Sequence, residues 1–395
     1  MTKKKYSIVV IGSGFAAYAA ISMLLSKNIK PLVLDCIPSK ISKKVKNKIR
    51  NIPHGNIKQN QFVFFKNIKN HNSTEILSAF NLGGLSNVWG GCINKYHKNE
   101  YKEILVKKNE MNLYYNFIDK IFFQLGSNDD YSKNFKLKFL PSESKETLYK
   151  ILKKKNILKS FQQANVCLGS SRILVDKRKK VLELGPLFKK LIKEKKIKYL
   201  NNFEVSKINN FKNKLKLISS RGAEIECEKA YLGAGGFQST KILINSISEI
   251  NFAKLNETKL IPSLWFTTSP IKKNEKNAYC DLYLTKVTKP LFHTQFYFIN
   301  KNLINRIFNK KNFLNYFIKK IFIKFKNHLF FTLSYLDQDY SNKLIIRKLN
   351  YNYFLQQEKS TSNLNYLINN FIKKIFKKKI FKIISLKNKN FGYGY

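Results

Sequence analysis

The residues whose types and spacing can do chemistry begin with Gly12, Ser13, Gly14, Phe15, Ala16 and Ala17, which follow an apolar run at 8–11 without a gap. Glycines at 12 and 14 suit a tight turn whose backbone N–H groups approach a pyrophosphate, and the small Ala17 lets the next helix pack close to the strand. That helix would aim its unpaired N–H groups and the positive end of its dipole at the phosphates. A second short strand at 31–34 ends in Asp35, about 20 residues beyond the glycines, where a carboxylate can accept the hydroxyls of a ribose. The chemistry implied is the holding of a dinucleotide by backbone and one acid. A strand-to-helix turn with no ligand is the plain alternative, and the order of strand, helix and acid counts against it.

Such a site needs a parallel sheet beneath it. Ile8, Val9, Val10 and Ile11 have the β-branched content of a strand buried on both faces. Lys3 to Lys5 and the apolar stretch after them imitate an export signal, with small residues at 17–20 for cleavage. Two glycines inside the apolar run, and a second strand ending in an acid, have no place in such a signal.

Two further segments carry the same kind of information. Residues 81–92 read Asn-Leu-Gly-Gly-Leu-Ser-Asn-Val-Trp-Gly-Gly-Cys. Gly83, Gly84, Gly90 and Gly91, with Ser86, Asn87 and Trp89 among them, describe backbone pressed against something planar or anionic. The simplest partner is the same dinucleotide; a glycine-rich turn with Trp89 in the core is the alternative. Residues 229–240 then run from a strand through Gly233, Ala234, Gly235 and Gly236 into a helix, a second phosphate-side turn or an ordinary one.

With the three segments in this order, the chain resembles the glucose-methanol-choline (GMC) oxidoreductases, FAD-dependent enzymes that oxidise alcohols of sugars, sterols and related compounds. The stretch from Gly83 to Gly91 is similar to the family's flavin-contacting loop, most of all to that of a bacterial branch linked to surface polysaccharide biosynthesis. The resemblance implies FAD as the cofactor, with Asn87, Gly90 and Gly91 beside the flavin ring. It implies that the backbone of Val205 meets the adenine and that the turn holding Ala234 and Gly235 closes the FAD site. The reaction it implies is removal of an alcohol proton with hydride transfer to the flavin, on a small-molecule alcohol or saccharide. Residues 335–341 resemble a turn of the same branch, and Asn390 to Tyr395 resemble a segment that there leads into the catalytic His. None of the five histidines takes that His position. Two expectations stay open: a fragment whose continuation lies in another frame or on a separate C-terminal chain, and a protein that binds FAD without oxidising anything.

A chain of 395 residues suggests two or three domain-sized units. The expected fold is α/β, with an FAD-binding Rossmann-type parallel sheet and an α+β substrate domain built on an antiparallel sheet. Residues 1–100 and 160–260 would form the FAD-binding domain, 101–159 a helical insertion and 261–395 the substrate domain, incomplete at its C-terminal end. Strands are expected at 197–200, 203–208, 278–284, 292–298, 328–336 and 343–347, and a hairpin at 214–227. The lone His293 and His328 sit in such strands, where a core or surface role is the commoner one.

The net charge of +50 comes almost wholly from Lys; Arg50, Arg172, Arg178, Arg221, Arg306 and Arg347 are the arginines. Arg is the residue that reads bases and phosphates bidentately, and no reading motif accompanies the charge, so nucleic acid is excluded as a partner. Two basic amphipathic stretches, 313–325 and 364–386, read as helices that either pack on their own sheet or rest on an anionic membrane surface. The five cysteines are widely and irregularly spaced, which supports neither zinc nor disulfides and fits free thiols in a reducing cytoplasm.

Overall fold

The computed structural model describes residues 5–37, 62–64, 69–70, 77–79, 81–87, 89, 91–93, 108–125, 166–170, 172–175, 181–211, 213–256, 260–268, 270, 280, 282–286, 291–299, 313–336, 338–350, 352–358, 364–375 and 380–385. The expected opening unit forms as β1 (Lys5–Ile11), α1 (Phe15–Ser26) and β2 (Leu32–Leu34). Its apolar runs are explained by two buried faces. Val10 and Val33 join Ala17, Ile21, Leu24 and Phe188 on one side of the sheet, and Val9, Ile11, Leu32 and Leu34 join Val205, Leu217 and Ile225 on the other. Period-two alternation therefore runs through residues that are all apolar, as a strand covered on both sides requires.

The unit continues much later in the chain, as α2 (Leu184–Lys193), β3 (Lys198–Leu200), β4 (Val205–Phe211), β5 (Lys214–Ser219), β6 (Glu224–Leu232) and α3 (Gly236–Ser246). The sheet order is β3-β2-β1-β6-β5-β4. The first four strands are parallel, and β4 and β5 add an antiparallel edge, so the sheet is mixed. Register matters most for function: Ile11 lies level with Leu34 on one side and with Leu232 on the other. Gly12, Asp35 and Gly233, each one residue further on, are thereby delivered to the same edge.

A second, antiparallel sheet has the order Ile380–Ser385, Leu260–Thr267, Leu329–Leu336, Phe292–Phe298, Leu282–Lys286, Val166–Ser170. Its last strand lies within the stretch 160–260 expected in the first domain, yet pairs with Leu282–Lys286. A third sheet joins Phe252–Asn256, Lys343–Leu349 and Asn352–Glu358 to the short Lys69–Asn70.

The helix expected over 364–386 is shorter. It ends at Ile375, and Ile380–Ser385 is an edge strand of the antiparallel sheet, where its β-branched residues pair with 263–267. Ile368 and Ile372 of this helix are buried, so it is packed on the protein. Of the expected helical insertion, Lys108–Ile121 is a helix and Phe123–Leu125 pairs with Arg172–Val175. Gly90, Asp337, the basic run at 39–50 and the Gly/Tyr segment at 390–395 lie outside the described residues. Among the described residues no helix is long and apolar enough to cross a membrane.

Candidate functional site

At the level edge of β2, β1 and β6 lies a cleft of about 250 Å³. The strand ends are stitched together there by backbone: Gly12 N–H donates to Leu34 O, and Gly233 N–H donates to Ile11 O, both at 2.8 Å. Gly12 has φ +99°, and a Cβ on it would stand 2.5 Å from Gly233 O. Glycine is thus required both by conformation and by the closeness of the neighbouring turn. The turns lead into α1 and α3, whose N-caps, Gly14 and Gly235, supply no side-chain hydrogen bond. Two helix N-termini border one cleft without side-chain caps, which is the electrostatic arrangement that accepts a phosphate.

Asp35 forms the polar centre of the cleft's other end. Ser13 Oγ–H and Tyr199 O–H both donate to its Oδ2, and Cys36 N–H donates to Oδ1 at 2.9 Å. Burial holds the Asp35 carboxyl above the usual carboxylate range, and the three donors only partly oppose it. Burial also raises the Tyr199 hydroxyl, with the adjacent Asp35 charge adding to it. The Cys36 thiol is pushed up to about 11, by burial first and then by Glu204 and Asp35, so it stays protonated and is no nucleophile. Ser13 works in two directions, since its Oγ also accepts the N–H of Gly83 at 3.0 Å. One hydroxyl therefore couples the first glycine turn to the 81–93 loop.

That loop is held from behind by α2. A Cβ on Gly83, whose φ is +94°, would meet Gly185 N at 2.5 Å. Ser86 Oγ–H donates to Gly83 O and accepts from Leu184 N–H, and Asn87 Nδ2 donates to Leu82 O and Gly84 O. Trp89 donates its indole N–H to Leu182 O at 2.9 Å, and its ring centroid lies 4.2 Å from that of Phe15.

Of the residues that the sequence proposes for the cofactor, the structure brings Gly12, Ser13, Gly14, Phe15, Ala16, Asp35, Gly84, Ser86, Val205, Ala234 and Gly235 around the cleft. Ala17, Gly83, Asn87, Trp89 and Gly91 are not among the residues that line it. Asn87 and Trp89 spend their donors on backbone carbonyls, and Ala17 packs against Gly233. The cleft also takes in residues that sequence reasoning did not single out, among them Asn81, Leu85, Phe203, Glu204 and Gln238. Asn81 is the most informative. Its Oδ1 is the one buried side-chain N or O atom without a hydrogen-bond partner among the described residues, on a residue that lines the cleft. Such an orphan is costly unless something fills the site. The signal was available: an Asn stands at the first position of the glycine-rich stretch.

The antiparallel sheet meets the far end of the same loop, where Gln295 Nε2 lies 3.7 Å from Cys92 Sγ. Strand register puts Tyr283, Thr285, His293, Gln295, Tyr297 and Tyr335 on one face of that sheet. These six are hydroxyl, amide, imidazole and aromatic groups without a formal charge. His293 shares a hydrogen bond of 2.8 Å between Nδ1 and Thr285 Oγ1 and lies between the rings of Tyr283 and Tyr335. His328 instead bonds Thr267 O and stacks on Phe266, at the end of a helix.

Burial pulls the His293 imidazole down to about 4. The unfolded chain, with an ordinary His value near ~6.5, binds a proton between those limits that the fold does not, so stability falls as pH drops through that window. The loss should reach about 2–3 kcal/mol by pH ~4. Urea unfolding followed across pH should show it, and His293→Gln should flatten that part of the curve; an unchanged curve would refute the burial of a neutral imidazole.

No sequence-family model matches the chain, and no curated protein matches it. Solved structures do. The crystal structure of pyridoxine 4-oxidase from Mesorbium loti matches with a TM-score of 0.50 at 10% identity, over 94% of this chain and 78% of that one. A fungal aryl-alcohol oxidase matches with a TM-score of 0.51 at 9% identity, over 96% of this chain and 84% of that one. At that identity the likeness speaks for architecture, a parallel sheet with antiparallel sheets laid beside it: the chain has the fold of these two oxidases.

Proposed function

We propose that this protein binds FAD and oxidises the CH–OH group of an alcohol in the manner of the GMC oxidoreductases. The observation that carries the reading is the cleft. Two helix N-termini without side-chain caps, the half-buried Asp35 carboxyl and Asn81 with its orphaned amide oxygen surround one space at the C-terminal edge of a parallel sheet. Each matches a different part of a dinucleotide. The turns at Gly12–Gly14 and Gly233–Gly235 suit the phosphates, Asp35 the ribose hydroxyls, and Asn81 a polar group of the ligand. A nicotinamide dinucleotide would leave the 81–93 loop, bound to the same cleft through Ser13, without a use as a further wall.

Bound FAD would supply the hydride acceptor. The chain's own part is to hold that group by backbone, to keep water out, and to present the substrate. The substrate class follows the resemblance, a small-molecule alcohol or saccharide. No described residue is assigned as the base for the alcohol proton.

The test is direct. Purified protein should be yellow, or become so on addition of FAD, and Asn81→Ala should lower its FAD affinity about tenfold while leaving the unfolding midpoint nearly unchanged. A colourless preparation that takes up no added FAD would overturn the reading.

A further inference from the structure

We propose that the outer surface of the helix Phe313–Lys324, with the turn after it, docks the protein on an anionic lipid surface. The observation begins in the sequence. No Asp or Glu occurs between Asp281 and Asp337, in a chain that carries 24 acidic residues and a net charge of +50. The helix lies inside this acid-free span. Its Phe322 and Ile323 pack on the antiparallel sheet against the cluster that holds Leu264, Phe331 and Leu333, which fixes the orientation of the helix. The opposite surface then carries Lys320, Ile321 and Lys324, with Phe325 at its border, where its ring also meets Phe266 edge-on at 6.3 Å; all four are exposed. Ile321 and Phe325 are 42% and 43% exposed and stand four residues apart, one above the other on the helix surface.

An exposed apolar pair bordered by lysines is what an interfacial helix presents: the apolar groups enter the headgroup boundary and the ammonium groups meet anionic lipid. A second copy of the chain is a poor occupant, since both partners would bring the same positive charge. Nucleic acid is less well matched than lipid, because apolar side chains at the centre of the patch gain nothing from a phosphate backbone. The inference is independent of the flavin reading, since it uses no residue of the cleft.

The experiment is co-sedimentation of the full chain with vesicles at physiological salt. Binding is expected to vesicles that contain phosphatidylglycerol and not to pure phosphatidylcholine. The double variant Lys320→Gln/Lys324→Gln should lower the partition coefficient about 25-fold, at about five-fold per lysine. Ile321→Ser should lower it about five-fold, at an exposed position where the fold tolerates the change. Lys189→Gln/Lys193→Gln, exposed on α2, should bind as the parent does. A loss as large in that control, equal binding to phosphatidylcholine, or displacement from the vesicles by duplex DNA would overturn the proposal. Unchanged thermal melting of the variants ensures that a loss of binding is not a loss of fold.

Discussion

Gly12→Ala should remove a large share of the protein's stability and all of its FAD binding. The added methyl would stand 2.5 Å from Gly233 O and 2.8 Å from Gly233 C, both backbone atoms, at a residue whose φ is +99°. Neither neighbour can rotate out of the way. Gly233 is itself fixed, by its N–H bond to Ile11 O and by Ala17, whose N lies 2.9 Å from where a Cβ on Gly233 would be. Strain at such a φ costs about 1–3 kcal/mol and overpacking about as much again. A loss of about 4 kcal/mol is a large share of the 5–15 kcal/mol, roughly, that holds a typical domain together. Urea unfolding should show a much lower midpoint, and the surviving fold should no longer colour with FAD. Wild-type unfolding with FAD retained would mean that the β1 and β6 turns do not touch.

That contact also explains which parts of the site are legible in the sequence. The β1–α1–β2 unit was legible because its signals are local: an apolar run, two glycines and an acid lie within one short stretch, and each limits the backbone by itself. The meeting of Gly12 with Gly233 was legible only as an order of motifs, since the register of β1 and β6 that joins them is made across more than half the chain. The 81–93 loop was the harder case. Its glycines announce a close approach, and two approaches occur. Gly84 and Ser86 face the cleft, whereas Gly83 is pressed against Gly185 of α2. Which side of the loop looks at a ligand is decided by that helix a hundred residues later, so nothing local marks Asn87 and Trp89 as turned inward. The strand Ile380–Ser385 has the sequence of a helix for a related reason. A lysine-rich run with apolar residues fits either period, and the choice is made by pairing with Leu260–Thr267.

The second large effect belongs to Asp35, where ligand affinity should fall while stability stays nearly level. In the unliganded protein, burial raises the Asp35 carboxyl, so the folded state holds a proton more tightly than the unfolded chain does. By linkage, the ionised side chain then counts against folding: stability is lost as pH rises through the unfolded value, near ~3.9, and stays lost above the folded one. Asp35→Asn keeps the size of the side chain and removes the buried charge. Tyr199 O–H and Ser13 Oγ–H, which now donate to Oδ2, still have an amide oxygen to receive them, whereas Cys36 N–H, which donates to Oδ1, loses its acceptor. That lost bond offsets the relief of the charge, and the variant should unfold at about the same urea concentration as the parent at neutral pH. Its FAD affinity should fall about 100-fold, because ribose hydroxyls lose a charged acceptor worth about 1.5–3 kcal/mol per bond. Fluorescence titration with FAD and urea unfolding of the same preparations measure the two quantities separately. A fall in both would make Asp35 a structural residue, and unchanged FAD affinity would remove the ribose from this end of the cleft.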